Sequence, residues 1–258
     1  MKRKIIPIFV AFALMSILNS CQKRVPDSTK TIATSDSITI ETIENLVPIK
    51  EKVLTAEEQK ALTPDSVIQS LKEGNKRFRN NNLTARDHSS QVRNAALGQF
   101  PKAVILSCLD SRVTVEDLFD KGIGDLFVAR IAGNFVNEDI LGSMEFGCKV
   151  SGAKLILVLG HKSCGAIKAA IDDVKLGNIT EMLTKIKPAV ALSQNFKGEK
   201  TSKNDDFVEY TSKNNVKNAI AMIRAKSPIL KDMEDKGEIK IIGAYYDIKI
   251  GEVIFLEK

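Results

Sequence analysis

AVILSCLDSR, at residues 103–112, joins a run of apolar side chains to a run of reactive ones. The apolar part, residues 103–107, is continuous rather than alternating, which is typical of a strand buried on both faces of a parallel sheet. Residues 154–160 form a second such run and lead into His161-Lys162-Ser163-Cys164. The carboxyl ends of parallel strands meet at one edge of a sheet, and ligands collect there. We therefore expect the two reactive segments to lie together in space.

The segments around these runs predict an α/β fold. Residues 125–130 form a third apolar run, and helical patterns at 115–119 and 140–150 separate the three runs, which gives a βαβ rhythm. Near the end, 239–246 and 253–256 predict one more strand and the second arm of an edge hairpin. The prediction is a central, mainly parallel β-sheet flanked by helices, with a C-terminal edge hairpin.

Other segments predict further helices and one insertion. A capped helix is predicted to begin at Thr63, and helical patterns cover 166–176 and 216–226. The polar stretch 193–215 predicts a surface insertion. We place the folded domain at residues 53–258.

The front of the chain has the pattern of an export signal. Lys2-Arg3-Lys4 precede an apolar run over residues 5–18, which is too short to predict a spanning helix. Residues 18–21 resemble the lipobox of bacterial lipoproteins, in which the Cys is lipidated and becomes the new N-terminus. A plain secretory signal with an incidental Cys, or an uncleaved anchor, is the alternative.

These patterns predict an exported, membrane-anchored lipoprotein that faces the periplasm. Residues 1–20 are the predicted signal peptide, Cys21 the lipidated residue, and 21–52 a flexible tether, because this stretch has too few large apolar groups to form a core. The formal charge of +6 includes the three cations of the signal; without them 35 basic residues face 32 acidic ones. With no Trp and 5% aromatic residues, the chain has few side chains from which the stacking surfaces of nucleic-acid binders could be made.

Cys108, His161 and Cys164 predict a zinc site. Two thiolates and an imidazole are ligands that select Zn²⁺, and a set of three protein ligands leaves a position open for water, as in catalytic sites. A structural zinc site closed by Asp110, or a disulfide between Cys108 and Cys164, would be the non-catalytic explanation. Cys148, on an apolar helix, is predicted to be a buried small residue. His88 is predicted to lie in a solvated loop, with a proton-shuttle role as the alternative.

Asp110 and Arg112 are the candidate catalytic residues. A bidentate ion pair between them would hold Asp110 as a hydrogen-bond acceptor beside the open position of the metal. Arg112 would then decide whether Asp110 stays off the zinc.

Together these motifs resemble the β-class carbonic anhydrases over residues 63–256. The resembling segments, besides Cys-x-Asp-Ser-Arg and His-x-x-Cys-Gly, are 124–130, 132–134, 142–146, 159–161, 164–167 and 243–247. The resemblance implies a carbonate dehydratase, a zinc lyase that reversibly hydrates carbon dioxide to bicarbonate and a proton through a hydroxide generated on zinc.

The resemblance also implies a homodimer or homotetramer, and a closed state in which Asp110 is a fourth zinc ligand. It places the Gly133–Asn134 loop near the site. Some family members have a second bicarbonate site that includes a Trp, so that form of inhibition is not expected here. Two alternatives stay open: a related zinc enzyme acting on carbon disulfide or carbonyl sulfide, and a non-catalytic zinc-binding module.

Overall fold

The computed structural model describes residues 52–256. The predicted signal peptide, Cys21 and all of the predicted tether except Lys52 lie outside the described residues. Within residues 52–256, no helix combines the length and the hydropathy that crossing a membrane requires.

A five-stranded sheet forms the centre of the domain. Its strands are β1 (Ala103–Ser107), β2 (Leu126–Arg130), β3 (Leu155–His161), β4 (Lys240–Asp247) and β5 (Glu252–Leu256). Their order across the sheet is β2-β1-β3-β4-β5. The first four strands run parallel, and β5 returns antiparallel to β4 as the edge hairpin. The predicted mainly parallel sheet with a C-terminal hairpin is confirmed.

Helices cover both faces of this sheet. They are α1 (Ala56–Ala61), α2 (Pro64–Arg79), α3 (His88–Ala95), α4 (Val115–Leu118), α5 (Glu138–Glu145), α6 (Gly165–Ile171), α7 (Gly177–Thr184), α8 (Lys187–Leu192), α9 (Asp205–Lys226) and α10 (Pro228–Asp235), with a π-helical turn at Phe146–Val150 after α5. As predicted, Thr63 caps α2: its hydroxyl accepts from the Ser66 N–H, and the Ser66 hydroxyl accepts from the Thr63 N–H.

Alternate residues of the buried strands face two separate cores. Val104 and Leu106 of β1 face a core built with α5, α9 and α10, whereas Ala103 and Ile105 face a core built with α2 and α4. A third apolar cluster lies at the carboxyl ends of β1 and β3; it comprises Cys108, Phe135, Cys164, Ile167, Ala170, Leu183, Ile186 and Val208. Because β1 and β3 are covered on both faces, their continuous apolar runs are explained. The third run, β2, is at the edge of the sheet and is only half-buried, so the prediction of a buried strand was wrong there.

The sequence prediction was wrong in the second half of the polar stretch 193–215. Helix α9 begins at Asp205, where the Asn204 side chain caps it, and runs without a break through residues 205–226. Thr211, Ser212 and Asn215 are buried although they are polar. A helix whose buried face is partly polar lacks the apolar period that identifies helices in a sequence.

Two smaller differences concern helix ends and His88. Helix α6 ends at Ile171 rather than near residue 176, and Asp173 just after it has a positive φ of 51°. His88 is exposed, as predicted, but it is the first residue of α3 rather than a loop residue, since Asp87 caps that helix.

Candidate metal centre

The fold brings Cys108, His161 and Cys164 together. Cys108 directly follows β1, His161 is the last residue of the neighbouring β3, and Cys164 is the N-cap of α6. All three are buried, and their sulfur and nitrogen atoms lie within 4.8 Å of one another. The two sulfur atoms are 3.9 Å apart, far longer than a disulfide bond of about 2.05 Å. Both cysteines are free thiols in this structure, so the arrangement favours the metal explanation over the disulfide.

The His161 ring is prepared for a ligand. Its Nδ1 lies 3.0 Å from the Lys162 carbonyl oxygen, to which an N–H at this position donates. That bond leaves the lone pair on Nε2, which is fully buried and has no hydrogen-bond partner. A buried polar atom without a partner is costly, and a metal ion would satisfy this one. Two sulfurs and one imidazole nitrogen are the donors that zinc prefers, so these residues fit zinc.

The pKa values of the two thiols are shifted in opposite directions. The pKa of Cys108 is lowered, mainly because its sulfur is hydrogen-bonded by the Cys164 thiol and in addition by the Gly133 N–H. The same contact with Cys108, together with burial, raises the pKa of Cys164. Two thiolates this close require a cation between them, because in a buried site their repulsion is hardly screened. The pair is therefore suited to a divalent metal.

Asp110 and Arg112 form a bidentate ion pair at the rim of the centre. Arg112 donates from Nε to Asp110 Oδ1 at 2.9 Å and from Nη2 to Oδ2 at 2.6 Å. The Arg112 backbone N–H adds a third bond to Oδ1 at 3.0 Å. The bond from the Arg112 side chain is the main reason that the pKa of Asp110 is well below its usual range. Asp110 Oδ2 is 3.9 Å from His161 Nε2, so the paired carboxylate faces the centre.

Arg130 supports this loop from the next strand and was not singled out by the sequence analysis. It is the last residue of β2, opposite Ser107 in the register of β1 and β2. Its Nε donates to the Cys108 carbonyl at 3.1 Å, and its Nη2 donates to the Asp110 carbonyl at 2.6 Å. A cation at the carboxyl end of the third apolar run, at the same edge of the sheet as Cys108, was the signal that could have identified it.

Helix α9 contacts both halves of the centre. Ser212 Oγ donates to the His161 carbonyl at 3.2 Å, and Asn215 Nδ2 donates to the Gly133 carbonyl at 2.7 Å. Gly133 in turn donates its N–H to Cys108 Sγ at 3.3 Å. No sequence pattern identified Ser212 or Asn215, because they lie in the stretch that was interpreted as an insertion.

Cys148 lies apart from the metal-ligand set. It is buried in the core shared by α5 and α9, where burial raises the pKa of its thiol to about 12. This placement agrees with its interpretation as a small apolar residue.

Comparison with known proteins identifies the family. The carbonic anhydrase family profile matches residues 103–253. Carbonic anhydrase 2 of Mycobacterium tuberculosis is 35% identical over 201 residues, which cover 74% of this chain and 92% of the relative. The β-carbonic anhydrase CcaA superposes with a TM-score of 0.60 at 25% identity, over 74% of this chain and 95% of CcaA.

A tetrameric β-carbonic anhydrase from the ascomycete Sordaria macrospora has the same fold. Its TM-score is 0.58 at 21% identity, and the match covers 65% of this chain and 86% of the fungal one. The profile match extends over both ligand segments, from β1 to β5, and the bacterial relative is matched over nearly its whole length. The chain therefore belongs to the carbonic anhydrase family, and within that family to the β class.

Proposed function

We propose that this chain reversibly hydrates carbon dioxide to bicarbonate and a proton, with Cys108, His161 and Cys164 as zinc ligands. The observation that carries the proposal is the buried sulfur-sulfur-nitrogen cluster with the Asp110–Arg112 pair at its rim. A closed structural zinc site would have no need of an aspartate held beside the ligands by an arginine.

Each residue of the site has one task in this reaction. Zinc, when bound, would act as a Lewis acid and lower the pKa of a water molecule to near neutrality. His161 keeps Nε2 directed at the centre through the bond from Nδ1 to the Lys162 carbonyl. Asp110 Oδ2 accepts a hydrogen bond from the attacking water. This bond orients a lone pair of the water oxygen toward carbon dioxide. Arg112 keeps Asp110 ionised and holds its carboxylate in place, so that the closed state with Asp110 on the metal is disfavoured.

Stopped-flow hydration of carbon dioxide tests this function. Zinc-loaded protein is expected to accelerate hydration, and chelator-treated protein is expected to lose the acceleration and regain it when zinc is restored. Zinc-loaded protein that binds the metal stoichiometrically but does not accelerate hydration would contradict the proposal. In that case, the same assay with carbonyl sulfide and carbon disulfide separates a related zinc enzyme from a non-catalytic zinc-binding module.

We propose further that the domain, residues 53–258, is exported and anchored by lipid. Supporting this are the signal pattern of residues 1–20, the lipobox-like position of Cys21, and the polar tether over 21–52. In cells fed a labelled fatty acid, the full chain is expected to carry the label and to sediment with the membrane fraction. Its domain is expected to lie on the periplasmic side of that membrane. Cys21→Ser should lose the label; label that persists in this variant would contradict the lipidation.

We propose that the enzyme is a homodimer or homotetramer, as its Sordaria macrospora relatives are tetramers. The described chain also exposes apolar side chains: Phe146 is 52% and Val150 71% exposed, and Phe146 lines a groove of about 710 Å³ between β2 and α5. Exposed apolar area of this kind is typical of a subunit interface. Sedimentation is expected to give a multiple of the chain mass, and Phe146→Asp should shift it toward the monomer. A monomeric wild-type protein would contradict the proposal.

A further inference from the structure

One residue of helix α9 is linked to a metal ligand through a single glycine. Asn215 is buried, with 1% of its surface exposed, and its Nδ2 donates to the Gly133 carbonyl at 2.7 Å. Gly133 donates its own N–H to Cys108 Sγ at 3.3 Å. The side chain of Asn215 thus reaches Cys108 by way of one residue, although the two are more than a hundred positions apart in the sequence.

The conformation of Gly133 makes this link specific. Its φ is +85°, in the region that favours glycine, and a Cβ at this position would lie 2.4 Å from Ile186 Cδ1. Ile186 and Ala166 fill the space that a side chain would take, so no side chain of residue 133 can anchor the loop. The orientation of Gly133 therefore depends on the hydrogen bonds that it makes, and the bond to its carbonyl comes from Asn215.

We propose that Asn215 is a positioning residue for the metal centre, which holds Gly133 so that its N–H is directed at the Cys108 sulfur. An N–H donated to a thiolate draws charge away from the sulfur and fixes the direction of its lone pairs, and both properties tune a metal-ligand bond. Without the Asn215 amide, the buried Gly133 carbonyl lacks its donor, so the loop must rearrange to recover one. This inference rests on the proposed zinc site.

Helix α9 also offers a matched control. Asn214, the preceding residue, donates from Nδ2 to Ser193 Oγ at 2.9 Å, away from the metal ligands. Asn214→Ala removes one side-chain hydrogen bond from the same helix without touching Gly133. Asn215→Leu keeps the branching of the asparagine side chain at Cγ, is larger, and has no hydrogen-bond donor.

The test compares zinc affinity and a spectroscopic signal in these full-length variants. Competition with a chelator is expected to show about tenfold weaker zinc binding, or more, for Asn215→Leu than for Asn214→Ala. In the Co²⁺-substituted proteins, the thiolate-to-cobalt charge-transfer band is expected to move to longer wavelength in Asn215→Leu only, because a sulfur without its N–H donor releases charge more readily.

The outcomes separate the two proposals. The proposed metal centre is overturned if the wild-type protein does not bind Zn²⁺ and shows no thiolate-to-cobalt band when Co²⁺ is added. A wild-type protein with the band, together with an Asn215→Leu variant that matches Asn214→Ala in band position and zinc affinity, overturns the role of Asn215 alone. If Asn215→Leu does not fold, Asn215→Ala, which also lacks the donor, is compared with Asn214→Ala in the same two measurements. Weaker zinc binding and a shifted band in Asn215→Ala support the inference, and equal values in the two variants contradict it.

Discussion

The Asp110–Arg112 pair shows how much one contact can decide at the scale of single residues. Neither side chain is fully buried, and an ion pair that is accessible to solvent ordinarily contributes little to the stability of the fold. Here the geometry is bidentate and a backbone N–H adds a third bond, so the carboxylate has one well-defined position. The pair therefore fixes the position of the carboxylate, and we expect its loss to lower the turnover rate rather than the stability.

Arg112→Ala is predicted to lower the hydration rate by about 10- to 100-fold while zinc stays bound. The substitution removes the fork that holds Asp110 but none of the proposed metal ligands. Stopped-flow rates and zinc content measured on the same sample check this prediction. Arg112→Lys keeps the charge without the planar fork and should recover only part of the rate. Undiminished hydration by Arg112→Ala would contradict the role assigned to the pair.

Arg130 acts on the same loop through main-chain atoms. Because its guanidinium donates to the carbonyls of Cys108 and Asp110, Arg130→Ala leaves two carbonyls of the ligand loop without their donor. We expect weaker zinc binding and slower hydration together, by about tenfold each, since a ligand and the catalytic aspartate share this loop. Arg112→Ala should differ by keeping its zinc. Full zinc affinity in Arg130→Ala would show that the loop holds its shape without this contact.

At the scale of elements, the N-terminal helices are attached to the sheet domain by a buried carboxylate. Asp120, just after α4, is fully buried and accepts bonds from the Thr84 backbone and hydroxyl at 3.0 and 2.7 Å. Arg86 donates to it at 2.6 Å, and Arg77 of α2 forms an ion pair with it. One side chain thus joins α2, the segment before α3, and the end of α4.

Asp120→Asn is predicted to lower the free energy of unfolding by about 3–5 kcal/mol, because two cations lose their buried partner. Burial alone would raise the pKa of Asp120, but the bonds from Thr84, Arg77 and Arg86 outweigh it and lower the pKa to about 2. The folded-state pKa lies below the ordinary value of 3.8, so the contribution is complete above that pH and is lost as the pH falls through about 2.

Denaturant unfolding of Asp120→Asn and wild type from pH 7 to pH 2 measures this difference. The gap in unfolding free energy should be widest at neutral pH and should narrow below pH 4, as the wild-type carboxylate takes up its proton. Asp117, an exposed carboxylate of α4, provides the control, and Asp117→Asn should change stability little. A gap of the same size at every pH would mean that the charge of Asp120 contributes nothing.

At the scale of the whole molecule, the sequence predicted those parts of the domain whose buried side chains are apolar. The runs before Cys108 and His161 identified the central strands, and the rule that ligands gather at their carboxyl ends placed the three candidate ligands together. What the sequence could not give was the buried polar support. Ser212 and Asn215 look like surface residues until their backbone partners at His161 and Gly133 are known, and those partners are set by tertiary contacts far apart in the chain.

The same organisation predicts how the whole molecule responds to loss of zinc. Cys108 and His161 lie at the ends of strands whose other residues are buried in two apolar cores, so we expect the fold to persist without the metal. Chelator-treated protein should still unfold cooperatively in calorimetry. Zinc present at a thousand times its Kd adds about 4 kcal/mol, which corresponds to a Tm higher by roughly 8–16 °C for a domain of this size.

Two cysteine variants make this response specific to the proposed centre. Cys164→Ala removes a candidate ligand and should abolish the rise in Tm on adding zinc, although its metal-free fold should persist. Cys148→Ala removes a buried thiol from the core behind β1, where it has no part in the ligand set, and should lower the Tm while leaving the zinc-dependent rise intact. If metal-free wild type lost its cooperative transition, zinc would be part of the fold itself. A zinc-dependent rise that disappears in Cys148→Ala but survives in Cys164→Ala would place the metal elsewhere, because only one of these thiols lies within reach of His161.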